Sequence, residues 1–161
     1  MNSSIDVTAY GTITSGTGVT GTGSPPAGIT AGYLGSTTIP TNFPLTNPLT
    51  GLPTLFGEVV VNNFPTISAA SGDGIRAYNY GIGDVTVNDF AGSITLQGLI
   101  PTGDTSLPNG YQNGIGASNE GSGNINVMKA VGTSIYASRG ASGIAAVLTA
   151  LVNQRGQYKQ D

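Results

Sequence analysis

The sequence predicts an all-β fold: a parallel β-helix (β-solenoid) of about four rungs, each with three short strands, in a single domain spanning 1–161. Three observations lead there. One phrase recurs four times, as Gly28-Ile29-Thr30-Ala31, Gly74-Ile75-Arg76-Ala77, Gly114-Ile115-Gly116-Ala117 and Gly143-Ile144-Ala145-Ala146. Short runs of alternating β-branched residues follow the copies, as half-buried strands require. Turn formers are abundant, with 26 Gly and 9 Pro among 161 residues. Self-similarity on this scale marks stacked supersecondary units, none of which buries its apolar face alone.

Each rung reads as three strands in a fixed order. The first begins at Gly-Ile-x-Ala. The second is of Asp/Asn-Val/Ile-x-Val type, as in Asp84-Val85-Thr86-Val87 and Asn124-Ile125-Asn126-Val127. The third centres on Ser/Thr-Ile, at Ile67, Ile94 and Ile135. Ile5, Val7 and Ile13 match the second and third strands, so the chain starts in the middle of a rung. Alternation points Ile75, Ala77, Val85, Val87, Ile94, Ile125, Val127 and Ile135 inward, and Arg76, Thr86, Thr95, Asn126 and Ser134 outward. Gly81, Gly83, Gly121 and Gly123 are expected at corners, where positive φ or close packing favours glycine. Asn79 and Asn119 share the inward parity, and stacked asparagines of this kind can bond amide to amide along the axis.

Successive Gly-Ile-x-Ala copies lie 46, 40 and 29 residues apart, so the shortest interval is the bare rung. The two longer intervals carry insertions at 36–56 and 99–113, where prolines interrupt any ladder. After the fourth copy the period changes. Ile144, Val147, Leu148, Leu151 and Val152 are spaced as a helical stripe, which predicts a short capping helix over 144–155. No such cap precedes Ile5, so the N-terminal rung is expected to be open, paired with another copy in self-association, or covered by the 36–56 insertion.

Composition narrows the function. Charged residues are 8% of the chain and the net charge is −3. The five basic residues, Arg76, Lys129, Arg139, Arg155 and Lys159, form no patch for nucleic acid. The absence of Cys excludes disulfides and thiolate chemistry, and the absence of His removes the commonest general base and metal ligand. Met1-Asn2-Ser3-Ser4 has neither the basic nor the apolar region of a signal peptide, and no apolar run is long enough to span a bilayer. Membrane insertion is therefore not expected.

Few residues are candidates for chemistry. Rung alignment puts Glu58 and Asp84 in one column with Asn124 beyond. Two carboxylates so placed could share a proton or hold calcium. The competing structural reading is that Asp, Glu and Asn open the second strand by bonding turn amides, and the scatter of bases favours it. Thr12/Thr14 and Ser93/Thr95 resemble the outward Thr rows of ice-binding solenoids, but the rows look irregular from rung to rung, as on a solvated face. Tyr33, Tyr78, Tyr80, Tyr111, Phe43 and Phe56 are aromatics suited to sugar or protein contacts. No residue is assigned as catalytic, cofactor-binding or metal-ligating, and no cofactor is expected.

The phrases GDGIRAYNYGIGDVTVND, AGSITLQG, GIGASNEGSGNINV and GTSIYAS resemble the repeats of large autotransporter passenger domains of alphaproteobacteria, the rhizobial type especially. The resemblance covers roughly residues 58–146. It implies a right-handed β-helix at the cell surface or outside the cell, with adhesive roles toward a surface or glycan partner and no enzyme activity in the stalk. The start in mid-rung, the lack of a translocator barrel and the tail VLTALVNQRGQYKQD point to a trimmed or engineered scaffold piece. The expected function is thus a non-catalytic stalk displaying loops. The alternatives are a carbohydrate-binding or polysaccharide-degrading β-helix using Glu58 and Asp84, and a self-assembling solenoid.

Overall fold

A computed structural model describes residues 4–16, 26–33, 56–97, 112–119, 123–137 and 141–148. These form twelve strands: β1 (Ile5–Ala9), β2 (Thr12–Ser15), β3 (Ala27–Tyr33), β4 (Val59–Asn63), β5 (Thr66–Ala69), β6 (Asp73–Asn79), β7 (Val85–Asp89), β8 (Ser93–Leu96), β9 (Asn113–Asn119), β10 (Ile125–Lys129), β11 (Ser134–Ala137) and β12 (Ser142–Leu148). They pair in parallel into three four-stranded sheets, ordered β1-β4-β7-β10, β2-β5-β8-β11 and β3-β6-β9-β12. The chain visits each sheet once per coil and returns to the same sheet three strands later. That is the strand order of a parallel β-solenoid, with four coils.

Register puts like residues above one another. Ile5, Val59, Val85 and Ile125 form one column of the first sheet, and Val7, Val61, Val87 and Val127 the next. Ile13, Ile67, Ile94 and Ile135 align in the second sheet, and Ile29, Ile75, Ile115 and Ile144 in the third. The middle two coils supply the best-buried members, and residues from all three sheets belong to one apolar cluster. Each fully buried aliphatic side chain contributes about 1.5–3 kcal/mol. The same positions in β10 and β11 are only half-buried, because no described coil follows them on that side.

The glycine of Gly-Ile-x-Ala lies inside a strand rather than at a corner. A Cβ on Gly74 would sit 2.6 Å from the Gly114 carbonyl oxygen and inside contact distance of Ile94 Cγ2. Neighbouring backbones and the isoleucine of the second sheet close over this column. Corner duty falls to Gly83 and Gly123, with φ of 147° and 146°. Each has a carbonyl where a Cβ would go, Gly57 O for Gly83 and Gly83 O for Gly123. Gly81 keeps an ordinary φ and donates its N–H to Asn79 Oδ1 at 2.7 Å.

The structure corrects two expectations. The fourth Gly-Ile-x-Ala copy does not lead into a helix: Ser142–Leu148 is β12, in register with β9 from Ser142↔Asn113 to Leu148↔Asn119. Its residues fit both periods, with Ile144, Ala146 and Leu148 alternating as a strand and Ile144, Val147 and Leu148 spaced as a helix. The exposed ladder of β9 decides in favour of the strand. The remainder of the predicted cap, 149–155, lies outside the described residues, among which there is no helix.

The second correction concerns the asparagines. Asn79 and Asn119 are buried at the predicted corner but do not bond amide to amide. Asn79 Nδ2 donates to Gly57 O at 2.9 Å and Gly83 O at 3.0 Å, and Asn119 Nδ2 donates to Gly83 O at 2.9 Å. They supply donors to the part-buried corner carbonyls of Gly57 and Gly83. The amide-to-amide bond occurs instead on the outer face of the first sheet, where Asn88 Nδ2 donates to Asn62 Oδ1 at 2.9 Å. Most of the 36–56 and 99–113 segments lie outside the described residues, although Phe56 bridges to Ile82 and Asn113 opens β9.

Candidate functional site: a trough on the third sheet

Of the two acids that the sequence singles out, Asp84 is bound up in holding coils together. Glu58 and Asp84 do share a column, preceding the paired Val59 and Val85. Glu58 is exposed. Asp84 Oδ1 accepts from the backbone N–H of Asn124 at 2.7 Å and from its Nδ2 at 3.3 Å. Asp73 repeats the device one corner away, with Oδ1 accepting from Asn113 N at 2.8 Å and Nδ2 at 3.4 Å. Each aspartate thus ties the start of its strand to the start of the equivalent strand 40 residues on. The structural reading of this column accounts for every bond Asp84 makes.

Sequence reasoning missed the most deeply buried acid. Asp89 and Asn63 face inward in the first sheet, both fully buried, and Asn63 Nδ2 donates to Asp89 Oδ1 at 2.8 Å. Asn63 Oδ1 and Asp89 Oδ2 accept no bond. Lys129 is next in the column by register, yet its Nζ donates to the Thr133 carbonyl. The signal was present as an Asn or Asp closing the V-x-V run of both Val59–Asn63 and Val85–Asp89.

The aromatics fall into two groups. Tyr78 and Tyr80 meet edge to face at 6.1 Å. Tyr10, Phe64 and Phe90, of which none was singled out from sequence, stack along the corner between the first and second sheets, with centroids 4.9 and 5.1 Å apart. Tyr33 ends β3, Phe56 is partly exposed, and Phe43 and Tyr111 lie outside the described residues. On the second sheet the hydroxyl rows are more regular than they read in sequence, because Thr66 pairs with Thr12 and Ser68 links Thr14 to Thr95. Tyr136 interrupts the row at the fourth coil.

The third sheet carries a trough of about 280 Å³, lined by Asp73, Arg76, Asn113, Gly116, Ser118 and Val147 together with Ala117 and Ala145. It forms because the outward residues of β9 and β12 are much smaller than those of β6. Arg76 is followed by Gly116 and Ala145 in one column, and Tyr78 by Ser118 and Val147 in the next. Arg76 forms the polar wall. Its Nε and Nη2 both lie 2.7 Å from Asp73 Oδ2, and Asp73 is buried beneath it. The carboxylate therefore fixes the guanidinium from below, with its other oxygen already committed to Asn113.

Among the described residues no group of three or more acids, Cys or His could hold a metal ion, and no helix is long and apolar enough to cross a membrane. No protein-family model, curated protein or solved structure matches the chain.

Proposed function

We propose that this chain is a non-catalytic, right-handed β-helical stalk from the surface of a bacterial cell, of the autotransporter passenger type, displaying its 36–56 and 99–113 segments for adhesion. Right-handedness follows the strong preference of parallel crossovers for that hand. The observation that carries the reading is the use made of the aspartates. Asp73 spends both oxygens, on Asn113 and on Arg76, and Asp84 spends Oδ1 on Asn124, so among the described residues these aspartates serve coil-to-coil and ion-pair bonding. Glycoside hydrolysis needs two carboxyl groups facing each other across the scissile bond.

The test is incubation with polygalacturonate and alginate, with and without calcium, followed by an assay for new reducing ends. No cleavage is expected from the parent or from Asp84→Asn. Asparagine keeps an acceptor for the Asn124 amide, so Asp84→Asn should unfold within about 0.5 kcal/mol of the parent. Calcium-dependent cleavage abolished by Asp84→Asn would overturn the proposal in favour of a polysaccharide-degrading enzyme.

A further inference from the structure

We infer that the trough on the third sheet is a binding site for a single uronate residue of an acidic polysaccharide. This goes beyond the stalk reading and does not depend on it; of the inserted segments only Asn113, the last residue of 99–113, is seen to line the trough. The inference rests on the match between three kinds of surface and the three parts of such a sugar.

The first is charge. Both bonds from Arg76 to Asp73 go to one carboxylate oxygen, leaving the remaining guanidinium N–H groups unengaged among the described residues. The Arg76 side chain is 24% exposed, against 6% for Asp73. The cation therefore faces the trough while its counter-charge lies beneath the surface. A guanidinium held this way is suited to a planar carboxylate, which it can grip with two parallel bonds. The second is the floor. Gly116, Ala145 and Val147 offer a narrow apolar strip that fits the C–H face of a pyranose ring. The third is hydrogen bonding at the rim. Ser118 Oγ and Asn113 Oδ1 have no partner among the described residues and suit ring hydroxyls. A volume of about 280 Å³ is just under the usual range for drug-sized ligands, roughly 300–1,000 Å³, and matches one ring rather than a chain. The sugar is bound and not transformed, since among the described residues no acid or base other than the engaged Asp73–Arg76 pair lines the trough.

The experiment is a titration of the full chain with sodium galacturonate, followed by amide chemical shifts, with glucose and the capped dipeptide acetyl-Asp-Gly-amide as comparators. Saturable shifts are expected at Gly116, Ser118 and Ala145, with glucose at least tenfold weaker because it lacks the carboxylate. Gly116→Leu fills the trough and should abolish the shifts. A Cβ at Gly116 would meet Asn113 Nδ2 at 3.3 Å, a tight contact with a side-chain tip that must give by a few tenths of an ångström, while no backbone atom stands in its way. Arg76→Lys keeps the charge over Asp73 but loses the fork, and should weaken binding about tenfold. It also keeps the test decisive if Gly116→Leu fails to fold. Absence of saturable shifts, equal binding of glucose, or unchanged binding by both variants would each overturn the inference. Tighter binding of the dipeptide than of galacturonate would overturn it in favour of an acidic peptide. None of these results bears on whether the chain is catalytic, which the cleavage assay decides separately.

Discussion

Replacing the glycine of Gly-Ile-x-Ala with alanine should give opposite results at Gly28, Gly74 and Gly114, which a further strand of the sheet follows, and at Gly143, which no described strand follows. At Gly74 the added Cβ would lie 2.6 Å from the Gly114 carbonyl oxygen, and at Gly114 it would lie 2.5 Å from the Gly143 oxygen, with Ile94 and Ile135 also pressing on the two sites. A side-chain tip could rotate away, but those carbonyls belong to the next coil's strands and cannot move without disturbing the ladder. The cost therefore sits at the upper end of overpacking, about 3 kcal/mol. Alanine recovers about 0.5–1 kcal/mol of the chain entropy that glycine loses in a strand, leaving a net loss of about 2 kcal/mol. At Gly143 nothing among the described residues lies within 4 Å of the added atom, so only the gain remains. For a chain of this size, roughly 2–4 °C per kcal/mol puts Gly74→Ala and Gly114→Ala about 4–8 °C below the parent, and Gly143→Ala about 1–4 °C above it. Urea unfolding followed by circular dichroism measures the difference, with an unchanged m-value showing that the unfolding unit is the same. Equal shifts for Gly74→Ala and Gly143→Ala would refute the close-approach account of the motif.

Two further predictions concern the columns. Asn63→Leu strands the buried Asp89 carboxylate without its donor and should cost about 3 kcal/mol or more, whereas Asn63→Leu with Asp89→Leu should recover a large part of that loss. A double-mutant cycle in urea checks it, and purely additive losses would contradict the pairing. In the aromatic stack Phe64 has a ring on each side and Tyr10 on one, so Phe64→Ala should destabilise by about 1 kcal/mol more than Tyr10→Ala. Thermal unfolding of the two variants side by side tests the order.

Much of the fold was legible in the sequence because a solenoid core depends on local alternation repeated from coil to coil. Ile75, Val85 and Ile94 announce their inward parity through their immediate neighbours, and the repeat gives each a partner one coil away. The candidate site was far less legible. Arg76, Gly116 and Val147 belong to three different coils, and nothing near any one of them signals a trough. Asp84 reads in sequence as sharing a column with Asn124, but the alignment does not show which atoms bond, and Asp73 appears as an isolated acid whose partner Asn113 lies beyond an inserted segment.

The sequence by itself determined which residues form strands and which side chains face the core. It did so because alternation and glycine placement act within a few residues. Only the tertiary structure decided what those side chains bond to. Asn79 could stack on Asn119 or hold the corner carbonyls, and the position of Gly57 and Gly83 settled the matter. Ser142–Leu148 could be helix or strand on its own pattern, and the unpaired edge of β9 made it a strand. Backbone groups in a parallel ladder are satisfied by a neighbour one coil away. That neighbour competes with any local preference, and it wins wherever the local pattern permits two structures.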